Sequence, residues 1–194
     1  MTAAGRGARD RVLDATLELI GEQGVGGVTN RAVAARAGVS PGSLSYHFPS
    51  QTELLREALM RFVVAETERL AALAGATAEL DPLAAAVQAI VEGADRRAVL
   101  AQTELYLQAC RDPSLQAVAA QAYAAYDEAA RRVLEGLGVA DPEPLVPALI
   151  ALVDGFELRR LALGDVGEGE DGADGAGARP SLVSGLAALV RAAA

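Results

Sequence analysis

The chain has no lysine, a single cysteine, a single histidine and only 4 % aromatic residues, and each scarcity closes off a class of chemistry. One cysteine excludes an internal disulfide. Cys110 and His47 lie sixty-three residues apart with no spaced partner of either type, so no usual zinc site can form, and no metal or cofactor is expected. Any Ser-His-Asp or Cys-His catalytic site would have to be built around His47 alone. No glycine-rich phosphate or dinucleotide fingerprint occurs either, and the chain does not read as an enzyme. There is no uninterrupted apolar run of eighteen residues and no secretory apolar segment in MTAAGRGARDR, which points away from membranes and export and towards the cytoplasm.

What is present is 52 % hydrophobic content in 194 residues, ample for a buried core. The formal charge of -9 is unevenly placed. Residues 1–56 carry six arginines against five acids, whereas residues 57–194 carry eleven against twenty-one. Arg6, Arg9, Arg11, Arg31 and Arg36 can supply local positive potential while the distal part stays acidic.

The densest local chemistry lies between Thr29 and Leu55. Thr29 is placed to cap a helix in which Ala32, Val33, Ala35 and Ala37 are small enough to pack closely, and Gly38 can end it in the left-handed conformation. Val39 offers an apolar plug. Ser40 as N-cap with Pro41 at the first helical position then starts a new helix, predicted over Pro41 to His47. A turn this short between two helices is the geometry of the helix-turn-helix. Leu44 and Phe48, four apart, face inward; Ser43, Ser45, Tyr46 and His47 are left to point outward with groups suited to phosphates and base edges. Pro41, Gly42 and Ser43 keep the helix start low in profile. Ser50-Gln51-Thr52-Glu53 is a capping box that opens a third helix.

Gly38-Val39-Ser40, Gly42-Ser43-Leu44, Tyr46-His47-Phe48 and Ser50 with Glu53-Leu54-Leu55 resemble the signature of the TetR family of bacterial transcriptional regulators. The flank agrees: Arg11 to Ala15 opens a helix with Val12, Leu13, Leu17, Leu19 and Ile20 at helical spacing, ended by Gly24. Two positions depart from the pattern, Ser45 where an aromatic is common and Gln51 where a lysine is common. The second removes a phosphate contact, although a helix N-terminus still offers N–H groups to an anion.

Beyond Glu53 the sequence reads as helices only: Gln51 to about Ala74, Asp81-Pro82 to about Gly93, Arg96 to Cys110, Asp112-Pro113 to Leu137, Glu143 to Leu163 and Ser181 to about Arg191. The fourth carries Leu115, Val118, Ala122, Tyr126, Ala129 and Val133 along one stripe. The fifth has Leu145, Leu149, Leu152 and Phe156 on one stripe and Val146, Ile150 and Val153 beside it. Broad apolar faces on the last two helices, with Leu182, Leu186 and Leu189 on the final one, suit a four-helix interface between two copies. Residues 164–179, rich in glycine and acids, read as an acidic loop without the spacing of a calcium loop. Tyr106, Cys110, Tyr123, Tyr126 and Phe156, with Glu104 and Gln108 as polar anchors, are either ordinary core residues or the walls of a small-molecule pocket; the resemblance implies an effector pocket here. Glu104 and Asp154 are more ordinary as surface or capping acids than as buried ones.

The expectation is therefore an all-α chain with an N-terminal three-helix DNA-binding domain, residues 7–67 with its helix-turn-helix at about 30–49, and a helical ligand-binding and dimerisation domain, residues 68–194. Its function would be a homodimeric repressor released from a palindromic operator on double-stranded DNA by a small-molecule effector. The DNA-facing residues would be Thr29, Arg31, Ser40, Pro41, Gly42, Ser43, Ser45, Tyr46 and His47. The alternatives are a helical protein-interaction module and an effector-independent regulator.

Overall fold

The computed structural model describes residues 7–76, 95–136 and 138–163, and every regular element among them is helical. In chain order these are α1 (Ala8–Gln23), a 3-10 turn (Val25–Gly27), α2 (Asn30–Ala37), α3 (Pro41–His47), α4 (Gln51–Ala76), α5 (Arg96–Ala109), a second 3-10 turn (Pro113–Leu115), α6 (Gln116–Gly136) and α7 (Val146–Leu163). The chain is all-α, as the periodicity predicts. The expected helix at 81–93, the acidic loop at 164–179, the helix at 181–191 with Leu182, Leu186 and Leu189, and Arg6 lie outside the described residues.

The chain divides into two compact units, one comprising Met1–Ala65 and Asp95–Ala122, the other Glu66–Ala94 and Tyr123–Ala194. The first unit is built around α1. Val12, Leu13, Leu19 and Ile20 recur at three- and four-residue spacing and are all buried, together with Val33 of α2, Leu44 of α3 and Leu54, Leu55 and Leu59 of α4. Removing each large aliphatic side chain from water contributes about 1.5–3 kcal/mol, which more than offsets the modest intrinsic helicity of elements as short as α2 and α3. Thr16, the buried polar residue of α1, satisfies its hydroxyl by donating to the Val12 carbonyl at 2.7 Å.

α5 joins this unit through a close backbone approach. Gly21 on α1 faces α5 so tightly that a Cβ there would overlap the carbonyl oxygen of Arg97 and lie 3.1 Å from its carbonyl carbon. Val99, Ala101, Leu105 and Ala109 form the buried stripe of α5, and Leu115, Val118 and Ala122 continue the unit. The second unit has its own core: Ala130, Leu134, Val139, Val146 and Leu149, with Val133, Leu145, Ile150, Leu152, Val153 and Phe156 packed against it.

Two helix starts and one buried stripe differ from the sequence reading. The segment after Asp112 begins as a 3-10 turn, because the Asp112 carboxylate accepts from both the backbone N–H and the hydroxyl of Ser114, and α6 proper starts at Gln116. α7 starts at Val146 rather than Glu143. Pro147 has no N–H to give the Glu143 carbonyl and its ring would clash with that carbonyl in a continuous helix, so it is tolerated only within the first turn. From Leu115 of the 3-10 turn the buried stripe runs onto α6 through Val118 and Ala122 but continues as Ala130 and Leu134 rather than Ala129 and Val133. Tyr126 between them is half-buried.

Candidate nucleic-acid interface

Each end of α2 and α3 is fixed by a specific contact. Thr29 Oγ1 accepts from the Ala32 N–H at 3.2 Å. Gly38, at φ 63 and ψ 40, closes α2 in the left-handed region, where the Val39 N–H reaches the Ala34 carbonyl at 3.0 Å and the Gly38 N–H reaches Ala35 at 3.3 Å. That double return is the Schellman arrangement. Arg11 of α1 adds a further cap, its Nε donating to the Ala37 carbonyl at 3.1 Å. Ser40 Oγ accepts from the Ser43 N–H at 3.1 Å with Pro41 at the helix start. Substituting such an N-cap by alanine costs about 1 kcal/mol.

Leu44 and Phe48 are buried, as their spacing predicts, and they pin α3 to the core. The Arg9 guanidinium lies over the Phe48 ring, 5.6 Å from its centroid. The opposite face is open: Pro41, Gly42, Ser45 and Tyr46 are exposed, while Ser43 and His47 are half-exposed. Tyr46 stands 84 % accessible, with its ring edge-on to His47 at 5.4 Å between centroids. Tyr46 thus leaves both its ring and its hydroxyl open to a partner.

Ser50 opens α4 by accepting from the Glu53 N–H at 3.1 Å. The other half of the expected capping box is replaced, since the Glu53 carboxylate turns to Arg56 at 2.6 Å. Gln51 holds two elements together, its side-chain amide donating to the Val28 carbonyl at 2.9 Å and tying the start of α4 to the loop before α2. Ala35 is exposed rather than packed, whereas Val33, Ala34 and Ala37 are buried.

Electrostatics corrects the sequence reading most. Arg9 is paired with Glu57 at 2.7 Å, and Arg36 with Glu22 at 2.8 Å and Glu18 at 3.2 Å. The Arg36 guanidinium holds the Glu22 carboxyl below its ordinary value, and Arg97 adds to the effect from 3.6 Å. Arg11 serves as a cap. Arg31, exposed at the start of α2, has no ion-pair or hydrogen-bond partner among the described residues. Arg31 thus keeps its charge unneutralised in a stretch where no acid occurs between Glu22 and Glu53. That window was visible in the sequence.

The residues expected to line a pocket are divided between the two units. Glu104, Tyr106, Gln108 and Cys110 belong to the first. Glu104 points at Gly24, where an added Cβ would lie 3.6 Å from its Oε2; the Tyr106 hydroxyl accepts from Gln102 Nε2 at 3.2 Å; Gln108 is half-exposed and Cys110 exposed.

Tyr123, Tyr126 and Phe156 belong to the second unit. The Tyr123 hydroxyl donates to Asp154 Oδ2 at 3.4 Å. One turn along α7, Glu157 is half-buried and paired through Oε2 with Arg160 at 2.9 Å. Burial pushes the carboxyl of Glu157 above its ordinary value against the pull of Arg160, and that of Asp154 above its own against the Tyr123 hydrogen bond. Glu157 was missed from sequence although its signal was present: it follows Val146, Ile150 and Val153 at helical spacing, an acid in register with an apolar stripe.

Of the residues expected at an interface between copies, Leu145, Leu152 and Phe156 are half-buried, and Leu149 is buried within its own chain. Leu158 and Leu163, at 57 % and 55 %, are the large apolar residues that α7 leaves exposed.

A capped recognition helix joined to its predecessor by the three residues Gly38 to Ser40 places the chain among helix-turn-helix proteins. Comparison with known proteins narrows this. The sequence model described as "Bacterial regulatory proteins, tetR family" matches residues 12–58, and that described as "Tetracyclin repressor-like, C-terminal domain" matches residues 78–193. The HTH-type transcriptional regulator BetI of Burkholderia cenocepacia is 30 % identical over 162 residues, 80 % of this chain and 83 % of BetI. The HTH-type transcriptional repressor KstR of Mycolicibacterium smegmatis is 48 % identical over 77 residues. That match spans only about a third of KstR, 37 % of its length, and 38 % of this chain. The crystal structure of the multidrug binding protein EbrR complexed with ethidium superposes with a TM-score of 0.67 at 29 % identity, covering 93 % of this chain and 99 % of EbrR. The chain belongs to the TetR family, a family of regulators rather than enzymes.

Proposed function

We infer that this chain is a homodimeric transcriptional repressor in the cytoplasm, reading a palindromic operator through α3 and leaving it when a small molecule binds the second unit. The observation that carries the DNA-reading part is the outward face of α3: Tyr46 is 84 % exposed to solvent within a stretch that holds no acid between Glu22 and Glu53. Ser43 and Ser45 are the candidates for base edges, and Thr29, Tyr46 and His47 for phosphates. Arg31 joins the phosphate set as a guanidinium with no partner among the described residues. Ser40, Pro41 and Gly42 let the backbone approach closely.

Dimerisation is supported by α7, where exposed Ala151, Gly155, Leu158 and Ala162 recur at spacings of four, three and four. Two such faces can pack about a two-fold axis. The palindrome follows from that symmetry, with half-sites about 34 Å or more apart. Effector release is supported by EbrR, which was crystallised with ethidium. A ligand favouring a dimer whose readers are wrongly spaced would lower operator affinity by the difference in its two binding energies.

The test is footprinting of the purified protein on DNA upstream of its own gene across a salt titration. A protected palindrome, weakening steeply with salt, supports the reading. Absence of any DNA binding at low salt overturns it.

A further inference from the structure

The segment that carries α2 is gripped by its backbone at both ends. Arg11 of α1 directs Nε to the Ala37 carbonyl at 3.1 Å, across 26 positions of sequence, and Gln51 of α4 directs Nε2 to the Val28 carbonyl at 2.9 Å, across 23. Between those two carbonyls lie Thr29, which caps α2, and α2 itself. Ala37 closes α2 at the negative end of the helix dipole, where an arginine is a favoured donor. Val28 is buried, and a backbone carbonyl there is costly to leave without a donor.

Packing alone does not fix where α2 lies along its neighbours. The residues it buries are Val33, Ala34 and Ala37, whose small side chains make shallow ridges to lock into a groove. Apolar burial is non-directional and tolerates a slide of such a surface, whereas a hydrogen bond weakens steeply when it is bent. The two bonds therefore supply the register that small side chains leave open. Arg36 adds exposed ion pairs with Glu18 and Glu22, which hold orientation weakly. Register has consequences here, since Thr29 begins the segment and Gly38 to Ser40 hand it on to α3. A displaced α2 moves Thr29 relative to Ser43 and Ser45. Base-edge contacts need alignment to about 0.5 Å, whereas phosphate contacts supply affinity for any sequence.

We propose that Gln51 and Arg11 are positioning residues for operator discrimination: from α4 and α1 they set the register of α2, and through it the relation of Thr29 to the outward face of α3, without touching DNA themselves. This rests on the DNA-reading part of the function proposed above.

The experiment uses the full-length protein and two duplexes, one enriched from a random library by repeated binding to the wild type and one of scrambled sequence. Gln51→Met keeps the length of the side chain and removes the donor. It should weaken binding to the enriched duplex at least about fivefold, the weight of one net hydrogen bond. Binding to the scrambled duplex should stay within about twofold, with the slope of log K against log salt unchanged for both. Arg11→Met should lower the same enriched-to-scrambled ratio. Amide hydrogen exchange of the DNA-free protein supplies an independent readout: the Thr29 and Val33 amides, bonded to the Gly27 and Thr29 carbonyls, should exchange faster in Gln51→Met while those of α5 are unaltered. Thermal melts establish that each fold is kept; should Arg11→Met not fold, Gln51→Met carries the test. A slope lowered by about 1 per protomer makes Gln51 a phosphate contact, and equal loss on both duplexes with a lowered Tm makes it a general stabiliser. Either result, an unchanged ratio, or unchanged exchange overturns the proposal. Failure of the DNA-reading function looks different: a wild-type protein that binds both duplexes equally, or neither, rejects sequence-specific recognition before any variant is compared, and the positioning roles with it.

Discussion

Replacing Gly21 by alanine should destabilise the first unit, although alanine is the better helix former. Taken alone, the exchange in a helix interior is worth about 1 kcal/mol in favour of alanine. Against it stands the contact with α5, where the added methyl would overlap the carbonyl oxygen of Arg97 and crowd its Cβ at 3.2 Å. These are mostly backbone atoms of a packed helix, so no rotamer change relieves them. α1 must move away, and Thr16 and Ile20, both buried to 0 % exposure on the same helix, would move with it. Overpacking of this kind costs about 1–3 kcal/mol, and the upper end applies because the neighbour is backbone. The net loss is about 2 kcal/mol, corresponding to roughly 4–8 °C in Tm for a chain of this size. The assay is a thermal melt followed by far-ultraviolet circular dichroism at fixed protomer concentration. Gly42→Ala, melted without DNA, serves as the internal comparison, since a Cβ there meets only Ser40 Oγ at 3.9 Å and should raise stability by up to about 1 kcal/mol. A Gly21→Ala protein that melts at or above the wild type would refute the idea that α1 and α5 are in backbone contact.

Further outcomes follow from the same geometry. Tyr46→Ala should weaken binding to all DNA sequences by a similar factor in electrophoretic shift assays, and unchanged affinity would remove Tyr46 from the phosphate set. Arg31→Ala should lower the slope of log K against log salt by about 1 per protomer, whereas Arg36→Ala should change it little because Arg36 is already paired with Glu18 and Glu22. Glu157 binds its proton more tightly in the folded chain than in the unfolded one, so stability declines as pH rises from the ordinary carboxyl value of 4.5 through the raised folded value. Glu157→Gln should flatten that limb of a denaturation-against-pH curve. The lowered carboxyls of Glu22 and Glu143 act with the opposite sign; their contribution is complete above 4.5 and is lost as pH falls below it, so the two effects occupy different windows.

The reader was legible because its instructions are local. Thr29, Gly38, Ser40, Pro41 and Ser50 act on backbone groups within three or four residues of themselves, and the structure forms the caps they predict. The ion pairs that occupy its arginines were not, since Arg9 finds Glu57 forty-eight residues away and Arg36 finds Glu22 at fourteen. The start of α7 was misplaced because an apolar stripe does not register that Pro147 has no N–H to give the carbonyl four residues back. At the second unit, the apolar stripes were read but the glutamate interrupting one of them was not. The raised carboxyl of Glu157 depends on its burial and on Glu66 of α4 as well as on its own helix, and no spacing along a single helix announces it.

The exposure of Tyr46 also has an optical consequence. The chain contains no tryptophan and four tyrosines, so its ultraviolet emission is that of phenol rings alone, undrained by energy transfer to an indole. Tyr106, Tyr123 and Tyr126 lie outside the reading helix, and Tyr46 is the ring that α3 itself carries. Covering it should alter emission at the place where an operator would dock, and comparison with Tyr46→Phe isolates that contribution. The protein thus carries its own label for an association experiment, in unmodified form and at a position that no attached dye could occupy without blocking it.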